Sequence, residues 1–127
     1  MTSRYTMKVV TDFAAAHFLR NYPGDCQRLH GHNWKVEVHA TASALDQVGM
    51  GLDFKIMKNA TKQVLAQLDH YNLNDIPPFD RINPTAENIA TYLYDELSAL
   101  LNNDRVRISA ITIWETERAC VTYSREA

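Results

Sequence analysis

Period-two alternation dominates the first third of the chain. Tyr5, Met7, Val9, Thr11, Phe13, Ala15 and His17 share one parity, and Lys8 and Asp12 share the other. Such positions fall on opposite faces of a strand, so residues 5 to 17 read as a strand whose apolar face ends at His17. Asn21-Tyr-Pro-Gly-Asp25 is a turn-rich break. A second strand is predicted from about His32 to Ala42, with Trp34, Val36, Val38 and Ala40 on one face and Lys35, Glu37, His39 and Thr41 on the other. The period then changes. After a turn at residues 46 to 51, Asp53 caps a helix with Phe54, Met57, Thr61, Val64, Leu65 and Leu68 on one stripe, ending at Asp69-His70. Pro84-Thr85 opens a second helix, with Thr85 as cap and Glu87 in the favourable first turn. Its stripe is Ile89, Ala90, Leu93, Leu97, Leu100 and Leu101, and Asn102-Asn-Asp closes it. A third strand covers about Val106 to Glu115. Its parity slips between Ala110 and Ile111, which predicts a β-bulge. A turn at Glu117-Arg118 leads to a last strand, Cys120 to Ser124.

The order strand, strand, helix, helix, strand, strand predicts an α+β domain. Its sheet would be four-stranded and mostly antiparallel, with two helices inserted between strands 2 and 3 and lying on one face. Such a sheet leaves two unpaired edges, and oligomerisation often closes them. At 127 residues the chain is one domain, residues 1–127, large enough to bury a core without a metal. Hydrophobic residues at 46%, charged residues at 22% and a net charge of -2 are ordinary for a soluble protein. No basic run suggests a nucleic-acid face, and no apolar run suits a signal peptide or a membrane span, so a cytoplasmic home is the default. Asn59-Ala-Thr61 is then a chance glycosylation sequon. Two cysteines make no disulfide framework. Cys120, in a strand-like run, reads as a buried small hydrophobe.

Candidate chemistry concentrates in Cys26-Gln-Arg-Leu-His30-Gly-His32. Extending the second strand back gives His30 and His32 the parity of its apolar set, roughly 7 Å apart along one face. That spacing suits shared coordination of one ion, and His17 at a neighbouring strand end raises the odds. Three imidazoles with an open fourth position describe a catalytic zinc site better than a structural one. Cys26 is then either a fourth ligand closing the site or a base beside it, its thiolate favoured by a nearby cation. His39 falls on the polar face and reads as a solvated residue. Asp69-His70 is either a helix C-terminal pair or a functional one. Glu115 continues the face of Ile111 and Ile113, so it is either solvated at a sheet end or aimed into a site. An aimed carboxylate accepts two parallel N–H donors, as from arginine or from the 2-amino group and the adjacent ring N–H of a pterin or guanine.

Six segments occur in order: Ala14-Ala-Ala-His17, Cys26-x₃-His30-Gly-His32-Asn-Trp34, Leu52-Asp-Phe54, Leu68-Asp-His-Tyr-Asn-Leu-Asn74, Asn83-Pro-Thr-Ala-Glu-Asn88 and Trp114-Glu-Thr116. Together they resemble the 6-pyruvoyltetrahydropterin synthase family from about residue 7 to residue 123. The short Cys-x₃-His-Gly-His spacing is most similar to its bacterial branch, the 6-carboxy-5,6,7,8-tetrahydropterin synthases of queuosine biosynthesis. The resemblance implies the tunnelling fold, in which subunits join sheets into a barrel, as a hexamer built from two trimers or as a tetramer, with sites between subunits. It implies His17, His30 and His32 as ligands of Zn2+, Cys26 as proton acceptor, and His70 with Asp69 as a proton relay. Glu115 would anchor the pterin ring and join the relay, with Thr116 beside it as a substrate-binding residue. The implied reaction is that of a zinc-dependent lyase, converting 7,8-dihydroneopterin triphosphate to 6-carboxytetrahydropterin, acetaldehyde and triphosphate. No nicotinamide or flavin is required, and Arg20, Arg28, Lys35 and Lys55 are candidate phosphate contacts. The competing readings are a pyruvoyl-forming synthase on the same substrate and a non-catalytic zinc or purine-binding module with a closed Cys-His₃ site.

Overall fold

The chain alternates between strand and helix in the order its periodicity predicts. The structure, a computed structural model, describes residues 3–126. Strands β1 (Tyr5–His17) and β2 (His30–Ala42) are followed by helices α1 (Phe54–Leu65) and α2 (Ala86–Leu101), then by β3 (Val106–Thr116) and β4 (Ala119–Ser124). The strands form one antiparallel sheet in the order β1-β2-β3-β4. Buried residues on β1, β2 and β3 alternate along each strand, from Met7, Val9 and Phe13 through Trp34, Val36 and Val38 to Ile111 and Ile113. They join Met57, Val64, Leu68, Ile89, Leu93 and Leu97 of the helical region in a single cluster. Helix α1 lies against β1 and α2, and α2 lies against β3 and β4.

Local chemistry sets the element ends. Asp53 caps α1 by accepting the Lys55 N–H, and Thr85 caps α2 by accepting the Asn88 N–H. Helix α1 is shorter than its stripe predicts. Beyond Leu65 the chain tightens into turns, and His70 adopts a left-handed conformation at φ 67°. The apolar stripe continues to fully buried Leu68 because a turn carries it inward as well as a helix would. Strand β2 begins two residues earlier than the alternation alone gives, at His30, because His30 pairs with His17.

Two irregularities in β3 matter. His39 pairs with Ala110 and Ala40 with Ile108, so Ser109 is the extra residue of a bulge. It returns Ile111 and Ile113 to the buried face, which is the parity slip seen in the sequence. Further on, Trp114 pairs with Cys120 and Thr116 with Ala119, which leaves Glu115 outside the ladder.

Two expectations for single residues are corrected. Cys120 is exposed, because it sits on edge strand β4 opposite Trp114, on the sheet face away from the helices. His39 is not freely solvated. Its Nε2 is shielded from solvent without a hydrogen-bond partner and lies 3.8 Å from Glu37 Oε1, in a polar cluster with Lys8 and Trp114. Among the described residues, no helix is long and apolar enough to cross a membrane.

Two substitutions separate the cap from the core. Thr85→Ala is expected to lower unfolding free energy by about 1 kcal/mol, since it removes one capping acceptor. Leu93→Ala, at a fully buried position, is expected to cost about 2–5 kcal/mol. Urea denaturation midpoints at unchanged slope would check both.

Candidate metal centre

The cross-strand pairing His17 with His30 and Ala15 with His32 gathers three imidazoles at the end of the β1–β2 ladder. Their ring centroids lie 4.6 Å (His17–His30), 5.3 Å (His17–His32) and 4.9 Å (His30–His32) apart. The indole of Trp34, fully buried, stands edge-on to His17 at 4.9 Å and to His32 at 5.2 Å. It therefore forms an incompressible floor that keeps both rings upright. The Trp34 Nε1–H donates to the Ala15 carbonyl at 3.3 Å.

Backbone carbonyls orient two of the rings. His17 Nδ1 lies 2.7 Å from the Pro84 carbonyl oxygen, and His30 Nδ1 lies 2.7 Å from that of Arg28. A carbonyl only accepts, so Nδ1 carries the proton in each case and Nε2 is left as a lone pair. Histidine ligands of metals characteristically have this outer bond. Burial, the largest influence, lowers the pKa of both His17 and His32 and favours their neutral, ligating forms. The Nε2 atoms of His17 and His32 are shielded from solvent and make no well-directed hydrogen bond, although Glu115 Oε1 stands 3.0 Å from His32 Nε2 and 3.7 Å from His17 Nε2. Buried polar atoms left this way are rare and call for an explanation. A shared cation would supply one, since His17, His30, His32 and Glu115 each offer one donor atom within 4.8 Å of all the others. The donor set, three imidazoles and a carboxylate, suits a borderline divalent ion.

Cys26 is not one of those four. It lies on a short 3-10 turn, Asp25–Gln27, tied back by a 2.7 Å bond from the Leu19 N–H to the Cys26 carbonyl. There it borders a cleft of about 400 Å³ together with His17, His30 and Glu115. Asp69 and His70 lie elsewhere. The Asp69 carboxylate accepts the Ala14 N–H at 2.9 Å and lies 3.0 Å from His70 Nδ1. The backbone bond, followed by His70, lowers the pKa of Asp69. The 69–72 segment thereby covers the end of the β1 edge, with the Ala16 N–H donating to Tyr71. The His70 side chain is 80% exposed and borders a different hollow, with Gly31 and His32. Within one chain, then, Cys26 and His70 do not share a cavity. Thr116 is also apart, exposed beside Lys35 and Trp114, with its Oγ1 accepting the Arg118 N–H.

The residues that brace the site were not evident from sequence. Just past His17, Asn74 bonds both backbone groups of Phe18, and Asn83 bonds both of Arg20, at 2.8–3.0 Å. Two side-chain amides thus replace a neighbouring strand. The Asn83 carbonyl in turn accepts the Asn88 side chain at 2.8 Å. The Arg20 guanidinium reaches the Phe79, Ile82 and Asn74 carbonyls. Three of its five N–H donors are engaged in structural bonds, while the side chain also lines the cleft that holds Cys26. The signal in the sequence is the density of asparagine in two of the six ordered segments, Asn72-Leu-Asn74 and Asn83-Pro-Thr-Ala-Glu-Asn88, the second of which opens α2.

Known proteins share this fold and sequence. Residues 6–126 match the 6-pyruvoyl tetrahydropterin synthase family. The chain is 30% identical to 6-carboxy-5,6,7,8-tetrahydropterin synthase of Rickettsia typhi, over 87% of this chain and 93% of that protein. It is 33% identical to 6-pyruvoyl tetrahydrobiopterin synthase of Dictyostelium discoideum, over 81% and 76%. The structure of Caenorhabditis elegans 6-pyruvoyl tetrahydropterin synthase superposes with a TM-score of 0.87 at 29% identity, covering 98% of each chain. The chain belongs to the 6-pyruvoyl tetrahydropterin synthase family.

Metal-free protein titrated with Zn2+ is expected to bind one ion per chain. His30→Ala should weaken binding by more than the 10–100-fold typical of outer-sphere changes, and Cys26→Ala should leave the stoichiometry at one. Calorimetry with chelator competition would measure both.

Proposed function

We propose that this chain is a zinc-dependent 6-carboxy-5,6,7,8-tetrahydropterin synthase of the queuosine (7-deazapurine) route. It would convert 7,8-dihydroneopterin triphosphate and water to 6-carboxytetrahydropterin, acetaldehyde and triphosphate. The observation that carries this reading is the cleft that Cys26 shares with His17, His30 and Glu115 of the candidate ligand cluster without belonging to that cluster. An acid–base group held beside a metal-capable site, and not inside it, is what side-chain proton abstraction needs. Zinc bound by His17, His30 and His32 supplies Lewis-acid polarisation of the substrate's side-chain oxygens.

Cys26, as thiolate, takes the proton from the substrate side chain. Glu115 accepts the paired N–H donors of the pterin's 2-amino group and N3, which fixes the ring, with Thr116 as a further substrate contact. His70, oriented by Asp69, handles the proton at the other end of the reaction. Because His70 is exposed and borders a different hollow from Cys26, it serves the cleft of a neighbouring copy. The assembly is a homo-oligomeric barrel, a hexamer of two trimers or a tetramer, in which β1 and β4 edges meet. The family relatives include pyruvoyl-forming synthases as well as carboxy-forming ones. The short Cys-x₃-His-Gly-His spacing favours the carboxy-forming reaction.

Incubation with 7,8-dihydroneopterin triphosphate is expected to release acetaldehyde and a 6-carboxy product by mass spectrometry. A pyruvoyl product without acetaldehyde would refute the assignment. Cys26→Ala and His70→Ala should each lose about 10²-fold or more in kcat while retaining zinc. Mixing the two variants under subunit exchange should restore turnover, since some clefts then combine an intact Cys26 with an intact His70.

A further inference from the structure

The position of Glu115 is odd for a residue that only holds a ring. Building on the metal-centre reading, we propose that Glu115 is the fourth ligand of the ion while the cleft is empty. An arriving pterin-like ring then draws the carboxylate away and opens that coordination position.

The first ground is metric. Zinc binds imidazole nitrogen and carboxylate oxygen at about 2.0–2.2 Å, so ligand atoms of a tetrahedral site lie about 3.3–3.5 Å apart. Glu115 Oε1 stands 3.0 Å from His32 Nε2 and 3.7 Å from His17 Nε2, on either side of that separation. The second ground is chemical. The Pro84 carbonyl fixes the proton of His17 on Nδ1, so its Nε2 presents a lone pair. A carboxylate oxygen aimed at that lone pair is a contact between two acceptors, and a cation between them makes it attractive. Among the described residues, no arginine or lysine pairs with Glu115, and its only ion-pair contacts are with these two histidines.

The third ground is freedom to move. Glu115 sits in the irregularity between Trp114 and Thr116, with no paired residue opposite it on β4, where the ladder is locally disrupted. Its side chain is 37% exposed, on the wall of the cleft shared with Cys26. By contrast His17 is packed at 2% exposure. The carboxylate is thus the one member of the set both free to leave and facing the space that a ligand enters. A ring bearing adjacent amino and ring N–H groups offers it a two-bond, planar partner. The closed four-ligand state would keep an empty cleft unreactive, and the ring itself would expose the metal to the substrate's side chain.

Cobalt(II) substitution tests this without reference to turnover. The probes are Co2+ and 2-amino-4-hydroxypteridine, a pterin with no side chain to coordinate the metal. Wild-type protein is expected to give an intense tetrahedral visible spectrum that shifts when the pteridine is added. Glu115→Gln should bind Co2+ at least 10-fold more weakly, with a changed spectrum that no longer responds to the pteridine; Glu115→Ala should behave alike, with circular dichroism confirming the fold of both. Identical spectra and affinities for wild type and variants would overturn the proposal. So would a wild-type spectrum unmoved by saturating pteridine. Failure of the wild type to bind Co2+ at all would instead overturn the metal-centre reading on which the proposal rests.

Discussion

Register between β1 and β2 is the constraint on which everything else depends. The ladder runs unbroken from Tyr5 opposite Ala42 to His17 opposite His30. Side chains in a strand alternate strictly, so a slip of one residue would turn every inward group of one strand outward. The buried face fixes the register, because Met7, Val9, Phe13 and Ala15 must meet Trp34, Val36, Val38 and Ala40. Once it is fixed, His17, His30 and His32 have no other place to go. The hydrophobic core therefore positions the three candidate ligands, and the two cannot be varied independently.

A second layer converts placement into readiness. Carbonyl oxygens of Pro84 and Arg28 set the tautomers of His17 and His30, and Trp34 packs edge-on beneath His17 and His32. Pro84 can do this because Asn83 beside it clamps the Arg20 backbone and is itself tied to Asn88 at the start of α2. The loop before α2, remote in sequence from both strands, is thus structurally part of the candidate metal centre. Such outer bonds reduce the reorganisation needed when an ion binds.

Much of this was legible in the alternation of the chain. The odd-numbered face of residues 5–17 and the even-numbered face of residues 32–42 gave the strands, and the slip after Ala110 gave the bulge. The three ligand candidates followed from parity. Other features depend on tertiary contacts that no local pattern encodes. Leu68 has helical spacing, yet it is carried by a turn, because His70 bonds back to Ala14 and ends the helix early. Cys120 has the composition of a core strand but lies on an edge, where burial requires a neighbour. Arg20 reads in sequence as a free cation, and only the fold reveals the three carbonyls that its guanidinium also braces. Cys26 and His70 were read together through family resemblance; one chain alone sets them in separate cavities.

The protein itself holds the His17 and His30 rings with Nδ1–H directed at the Pro84 and Arg28 carbonyls, independently of any metal. The direct measurement is a long-range proton–nitrogen correlation spectrum of the histidine rings in metal-free protein at neutral pH. The expected result is that Nδ1 carries a proton on both His17 and His30, with His17 neutral. An unprotonated Nδ1 on either ring would contradict it.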